Sequence, residues 1–215
     1  EGRSIKAMMQ SPTGGHPARM NFLAHALLAG DSDADRIGGL VGDFIKGPLP
    51  SSGLRPDLAA GVALHRAIDS FADRHPAFLA SRARISPLRR RVSGVLVDLF
   101  YDHLLARDWA LHGHGSLSDF THGVYSALLD FDDLLPATAR NVGQRMSEQN
   151  WLYDYRDATA VGRAIDRMSV FRIRRANPLA GGIDEFHADP DGFSSDFAAF
   201  LPDAKDFAAR WRAAR

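Results

Sequence analysis

Nowhere in this chain of 215 residues do apolar and polar positions alternate for long enough to argue a half-buried strand. Helix formers fill the sequence instead, with Ala, Leu and Arg abundant. Helix breakers recur at intervals: Gly47-Pro48 with Pro50, then Pro76, Pro87, Gly113, Pro136, Pro178, Gly181-Gly182, Pro190 and Pro202. This punctuation predicts helices over 20–30, 34–46, 56–73, 76–84, 87–110, 116–133, 136–149, 158–175, 182–200 and 203–213. The fold class that follows is all-α: a single-domain helical bundle with short loops over 20–215. Residues 1–19 are rich in Gly, Pro and Ser and carry no periodic pattern. They read as a flexible leader or an appended tail, and Met20 is a candidate natural start. The segment lacks the apolar core of a signal peptide, which argues against secretion.

Several function classes are excluded by composition. There is no cysteine, so disulfide scaffolds, thiolate-bound metals and Cys nucleophiles are ruled out together. Basic and acidic residues number 26 each, which argues against a polybasic nucleic-acid binder. No apolar run approaches the ~18 residues of a membrane span. A cytoplasmic protein is the expectation. No G-x-S-x-G elbow or Walker A loop occurs. Gly38-Gly39 with Gly42 resembles a dinucleotide fingerprint only superficially, because no strand precedes it. Those glycines read better as a close helix contact beside Asp43.

Chemistry is carried by polar residues set in apolar helices. His65 and Asp69 stand four apart, as do Asp98 and Asp102. That spacing puts each pair on one helix face, one turn apart. Asp43 and His25 are two further intruders among apolar neighbours. Charges there are costly to bury unless paired or metal-bound. Histidines with several aspartates suit a divalent ion such as Mn²⁺, Mg²⁺, Fe²⁺ or Zn²⁺. Each pair, taken alone, is equally an ordinary ion pair, and His25 a satisfied core histidine.

Charge is patchy despite the zero sum. No acid lies between Arg74 and Asp98, a stretch that holds Arg82, Arg84, Arg89, Arg90 and Arg91. A second basic run holds Arg167, Arg172, Arg174 and Arg175, whereas residues 184–206 carry seven acids and one Lys. A basic patch suits an anionic partner. No aromatic residue lies between Phe78 and Phe100 to stack a base, so an acidic protein or a phosphate fits better than nucleic acid.

Five blocks in order carry a resemblance. They are Met20-Asn21-Phe22-Leu23-Ala24-His25, Gly42-Asp43-Phe44-Ile45-Lys46-Gly47, His65-Arg66-Ala67-Ile68-Asp69, Asp98-Leu99-Phe100-Tyr101-Asp102-His103, and Ser147-Glu148-Gln149-Asn150-Trp151-Leu152 with Tyr155-Arg156-Asp157. Together they resemble the acyl carrier protein phosphodiesterases over about Met20 to Arg175. The resemblance implies a helical, HD-domain-like phosphohydrolase that uses a divalent metal, Mn²⁺ first and Mg²⁺ or Fe²⁺ as alternatives. It implies hydrolysis of the phosphodiester that joins 4′-phosphopantetheine to holo-acyl carrier protein. The order Asp102-His103 inverts the His-Asp order of HD enzymes, so their ligand pattern does not transfer position by position.

Residues and resemblance converge on one expected site. His25, Asp43, His65, Asp69, Asp98 and Asp102 are the expected metal ligands, with His103 as a further member about 100° around the helix from Asp102. Asp43 or Asp69 would act as general base, and Arg66 or Lys46 would stabilise charge on phosphorus and on the leaving oxygen. Arg82, Arg84, Arg89, Arg90 and Arg91 form the expected docking face for the acidic carrier. Two other readings stay open: a phosphohydrolase of nucleotides or small phosphoesters, and a non-catalytic helical protein that binds an acidic partner.

Overall fold

The computed structural model describes residues 21–171 and 177–215. Among them no strand occurs, and the all-α expectation holds. The expected leader 1–19, the start at Met20, and Arg172, Arg174 and Arg175 lie outside the described residues.

Local chemistry sets most boundaries. α1 spans Phe22–Leu28 and α2 spans Asp33–Val41. Ser32 caps α2 by accepting the Asp35 N–H at 3.3 Å. The helix expected over 34–46 stops early: Gly42–Phe44 tightens into a 3₁₀ turn that presents Asp43. α3 (Pro56–Ala72) and α4 (Pro76–Arg84) each open on a proline in the first turn, where its missing N–H costs nothing.

The helix expected over 87–110 divides. Pro87–Val92 is a 3₁₀ segment, α5 runs over Ser93–Arg107, and α6 is a short turn at Trp109–His112. α7 (Leu117–Asp130) is capped by Ser116, and α8 spans Ala137–Glu148. α9 (Trp151–Asp154) is one turn that periodicity does not reveal, entered through Asn150 at φ 51°. α10 spans Ala158–Phe171 and α11 spans Ile183–Ala188. α12 runs unbroken over Pro190–Ala213, capped by Asp189.

Pro202 therefore ends no helix, against expectation. A mid-helix proline costs ~3 kcal/mol in lost hydrogen bonding and ring clash. Around it α12 buries Phe193, Phe197, Phe200, Leu201, Ala204 and Ala208, and aromatic burial on that scale outweighs the cost.

α5 is the hub. Every residue from Val95 to Ala106 is buried, so this helix is apolar nearly all round and must lie at the centre. α1, α4, α10 and α12 pack around it. α2 crosses α3 at closest approach where Gly38 meets Gly61. A Cβ on Gly38 would stand 2.6 Å from the Gly61 Cα, closer than any side chain allows. On the far side, Phe71 of α3 stacks on Phe207 of α12 at 4.7 Å. α1 and α3 are thus held with His25 and His65 facing each other.

Candidate metal centre

The i, i+4 spacing of His65 and Asp69 does place both on one face of α3, and that face looks at His25 of α1. His25 Nε2 lies 3.2 Å from Asp69 Oδ1. His65 Nε2 lies 3.4 Å from Asp69 Oδ2 and 3.7 Å from Asp43 Oδ1. The two rings are 4.1 Å apart, tilted by 31°. One potential ligand atom from each of His25, His65 and Asp69 falls within 4.8 Å of the others. Asp43 reaches the edge of this cluster from the 3₁₀ turn after α2.

Two glycines that sequence reasoning assigned only to packing form walls of the site. A Cβ on Gly42 would stand 2.4 Å from the His65 ring, and one on Gly39 would lie 3.4 Å from the His25 carbonyl. The run Gly38-Gly39…Gly42 therefore brings α2 against both histidines.

The cluster suits a divalent ion of nitrogen and oxygen preference. Two imidazoles and a carboxylate converge, and His25 Nδ1 is buried with no hydrogen-bond partner among the described residues. Burial lowers the pKa of His25, and the neighbouring His65 lowers it further against the pull of Asp69. A neutral imidazole is the form a metal takes. For His65, burial also lowers the pKa, but Asp43 and Asp69 together outweigh it and the net shift is upward.

Three expected ligands lie elsewhere. Asp102 accepts the backbone N–H groups of Leu23 at 3.0 Å and Ala24 at 2.8 Å, so its carboxylate caps α1. Burial pushes its carboxyl up to about 8, against the lowering effect of those two bonds. Asp98, one turn earlier, accepts from Asn21 Nδ2 at 3.5 Å. His103 points to another flank of α5. Its Nδ1 donates to the Tyr155 carbonyl at 2.8 Å, and its ring meets Phe186 edge-on at 5.0 Å. The 100° step between Asp102 and His103 sends one toward α1 and the other toward α9 and α11.

The remaining expectations divide as well. Arg66 donates from Nη2 to the Ile45 carbonyl at 2.9 Å, so it braces the turn that carries Asp43. Lys46 is exposed beside that turn. The arginine run is not a free cationic face. Arg84 pairs with Asp196 at 2.7 Å and with Asp189, and Arg89 pairs with Glu185 at 3.0 Å. Arg82 faces Asp73 at 3.6 Å and donates to Ser93 Oγ. The acids of 184–206 thus neutralise part of the run, whereas Arg90 and Arg91 stay exposed. In the second basic run, Arg167 is exposed over the Trp151 ring at 5.6 Å.

Comparison with known proteins points to one family. The family model described as acyl carrier protein phosphodiesterase matches residues 20–204. A relative from Serratia proteamaculans, named acyl carrier protein phosphodiesterase, is 32% identical over 85% of this chain and 94% of its own length. A protein of the same name from Yersinia enterocolitica is 31% identical over the same shares. One from Escherichia coli O127:H6 is 29% identical over 89% of this chain and 98% of its own. No solved structure matches. With most of its length matched by that model, and His25, Asp43, His65 and Asp69 gathered in one place, the chain belongs to the acyl carrier protein phosphodiesterase family.

Proposed function

We propose that this chain is a metal-dependent phosphodiesterase that removes 4′-phosphopantetheine from holo-acyl carrier protein. The observation that carries the reading is the His25–His65–Asp69 cluster with Asp43 at its edge, in a chain of this family. His25, His65 and Asp69 would hold the ion, with Mn²⁺ as its proposed identity and the cytoplasm as the proposed compartment. A bound divalent ion would offset the charge of the phosphodiester and lower the pKa of a water.

The chain's own residues supply the rest. Asp69 spends both carboxylate oxygens on the two imidazoles, so Asp43, with a single longer contact, is the better general base. Asp43 takes a proton from the attacking water as its oxygen bonds to phosphorus. The bond from phosphorus to the serine oxygen breaks, and that oxygen leaves with the proton that Asp43 has taken up. Lys46 stands at the exposed rim, where it offsets the charge of the arriving phosphodiester. Arg66 acts one step back, through the Ile45 carbonyl. The exposed Arg90 and Arg91, with Arg82 beside them, form the proposed docking face for the acidic carrier.

The test is direct. Holo-acyl carrier protein is incubated with the chain, with and without Mn²⁺, and weighed intact by mass spectrometry beside the Asp43→Ala variant. Loss of the phosphopantetheine mass is expected only with metal and with Asp43 present. Turnover of free nucleotides without any loss from the carrier would overturn the reading.

A further inference from the structure

α1 carries His25, yet it is a poor helix by itself. It has seven residues, and Asn21 gives it no side-chain cap. Helices this short do not persist without outside support. The first N–H groups of any helix lack partners within it. Here two of them, on Leu23 and Ala24, are taken by the carboxylate of Asp102, 79 and 78 residues away on α5. One turn back, Asp98 receives the Asn21 side chain. Both aspartates are fully buried in the central helix.

A carboxyl group is suited to this task. Each of its oxygens accepts one N–H, and two bonds fix the rotation of a helix end as well as its position. A serine or asparagine cap has one acceptor oxygen and fixes less. α5 cannot turn, because it is packed on every side from Val95 to Ala106. His25 follows Ala24 directly, so the angle at which its ring meets His65 and Asp69 depends on that grip.

We propose that Asp102, with Asp98 one turn behind it, is a positioning residue of the metal centre: it fixes α1 on α5 so that His25 converges on His65 and Asp69. The proposal rests on the reading of those three residues as the ion's holders.

The experiment titrates the full chain with Mn²⁺ and follows the free ion by electron paramagnetic resonance. Asp102→Asn keeps the side chain's size but turns an NH₂ group toward one of the backbone donors. Its Mn²⁺ affinity is expected to fall about 10-fold, within the range for residues that orient ligands. kcat should fall with it, KM for the holo carrier should stay within about twofold, and the far-UV circular dichroism should not change. In a His25→Ala background, Asp102→Asn is expected to cost no further affinity, since it acts through His25.

A lower Tm with unchanged Mn²⁺ affinity would make Asp102 a fold residue only and overturn the proposal. Losses that add in the double variant would make it a ligand and overturn it equally. Should Asp102→Asn not fold, Asn21→Ala loosens the same helix end from Asp98. It is then expected to weaken Mn²⁺ binding by about two- to threefold, and unchanged affinity would overturn the proposal. Absence of Mn²⁺ binding by the unaltered chain is a separate result: it removes the metal centre itself, and the positioning role with it.

Discussion

Two imidazoles share the two oxygens of one carboxylate, and burial and charge act on them in opposite directions. His25 is held below its ordinary pKa and is neutral near pH 7, whereas His65 is held above it by Asp43 and Asp69. A metal takes only the neutral ring, so binding competes with the proton on His65. Affinity for Mn²⁺ should therefore rise with pH through the titration of His65 and level off above it, with little contribution from His25. Calorimetric titration in buffers of different ionisation enthalpy should show proton release on binding that falls as pH rises through the titration of His65. Proton uptake on binding would contradict this assignment. The sequence made His25, Asp43, His65 and Asp69, which the fold brings together, legible because each is a charged or titratable group in an apolar stretch. It did not separate Asp98, Asp102 and His103 from them, although these three meet other partners in the fold. Burial explains a ligand and a helix cap equally well, and only the partner atom tells them apart.

The helices themselves depend on contacts that vary from one glycine to the next. Gly38 faces the Gly61 backbone with no room for a methyl group, whereas Gly123, inside α7, has open space where a Cβ would be. Gly38→Ala should destabilise the chain by about 1–3 kcal/mol, by forcing α2 off α3. Gly123→Ala should stabilise it by about 0.5–1 kcal/mol, through the helix propensity of alanine. Thermal unfolding of the two variants beside the parent checks both signs. Gly38→Ala should also lower Mn²⁺ affinity, because α2 and the turn that follows it carry Gly39 and Gly42, which wall the two histidines. Helix starts at Pro56 and Pro76 were legible because proline acts locally on its own turn, whereas the helix expected over 182–200 divides at Asp189, whose side chain caps a new helix at Pro190. The persistence of α12 through Pro202 was not, because the aromatic packing that tolerates it comes from α3, α4 and α5.

Across the molecule, opposite charges that are far apart in sequence cancel. The arginine run and the acidic segment 184–206 lie about a hundred residues apart, and in the fold Arg84 meets Asp189 and Asp196 while Arg89 meets Glu185. Replacing those two arginines should cost stability, since each leaves a carboxylate without its partner. Arg90 and Arg91 are exposed and free to steer a partner instead. The pair Arg90→Glu with Arg91→Glu should raise KM for the holo carrier about 10-fold at low salt and leave kcat nearly unchanged. The salt dependence of kcat/KM should flatten as well. A fall in kcat at constant KM would place the docking face elsewhere.

The sequence by itself determined the helical class, most helix starts and which titratable residues stand among apolar neighbours. These follow from effects that reach one turn along the chain: propensity, proline geometry and i, i+4 spacing. The tertiary structure alone decided which aspartate faces the histidines, which one caps α1, and which arginines remain available to a partner. Those outcomes turn on hydrogen bonds and ion pairs between residues dozens of positions apart. Their geometry is set by how α1, α2, α3 and α5 close on one another, and no local pattern records it.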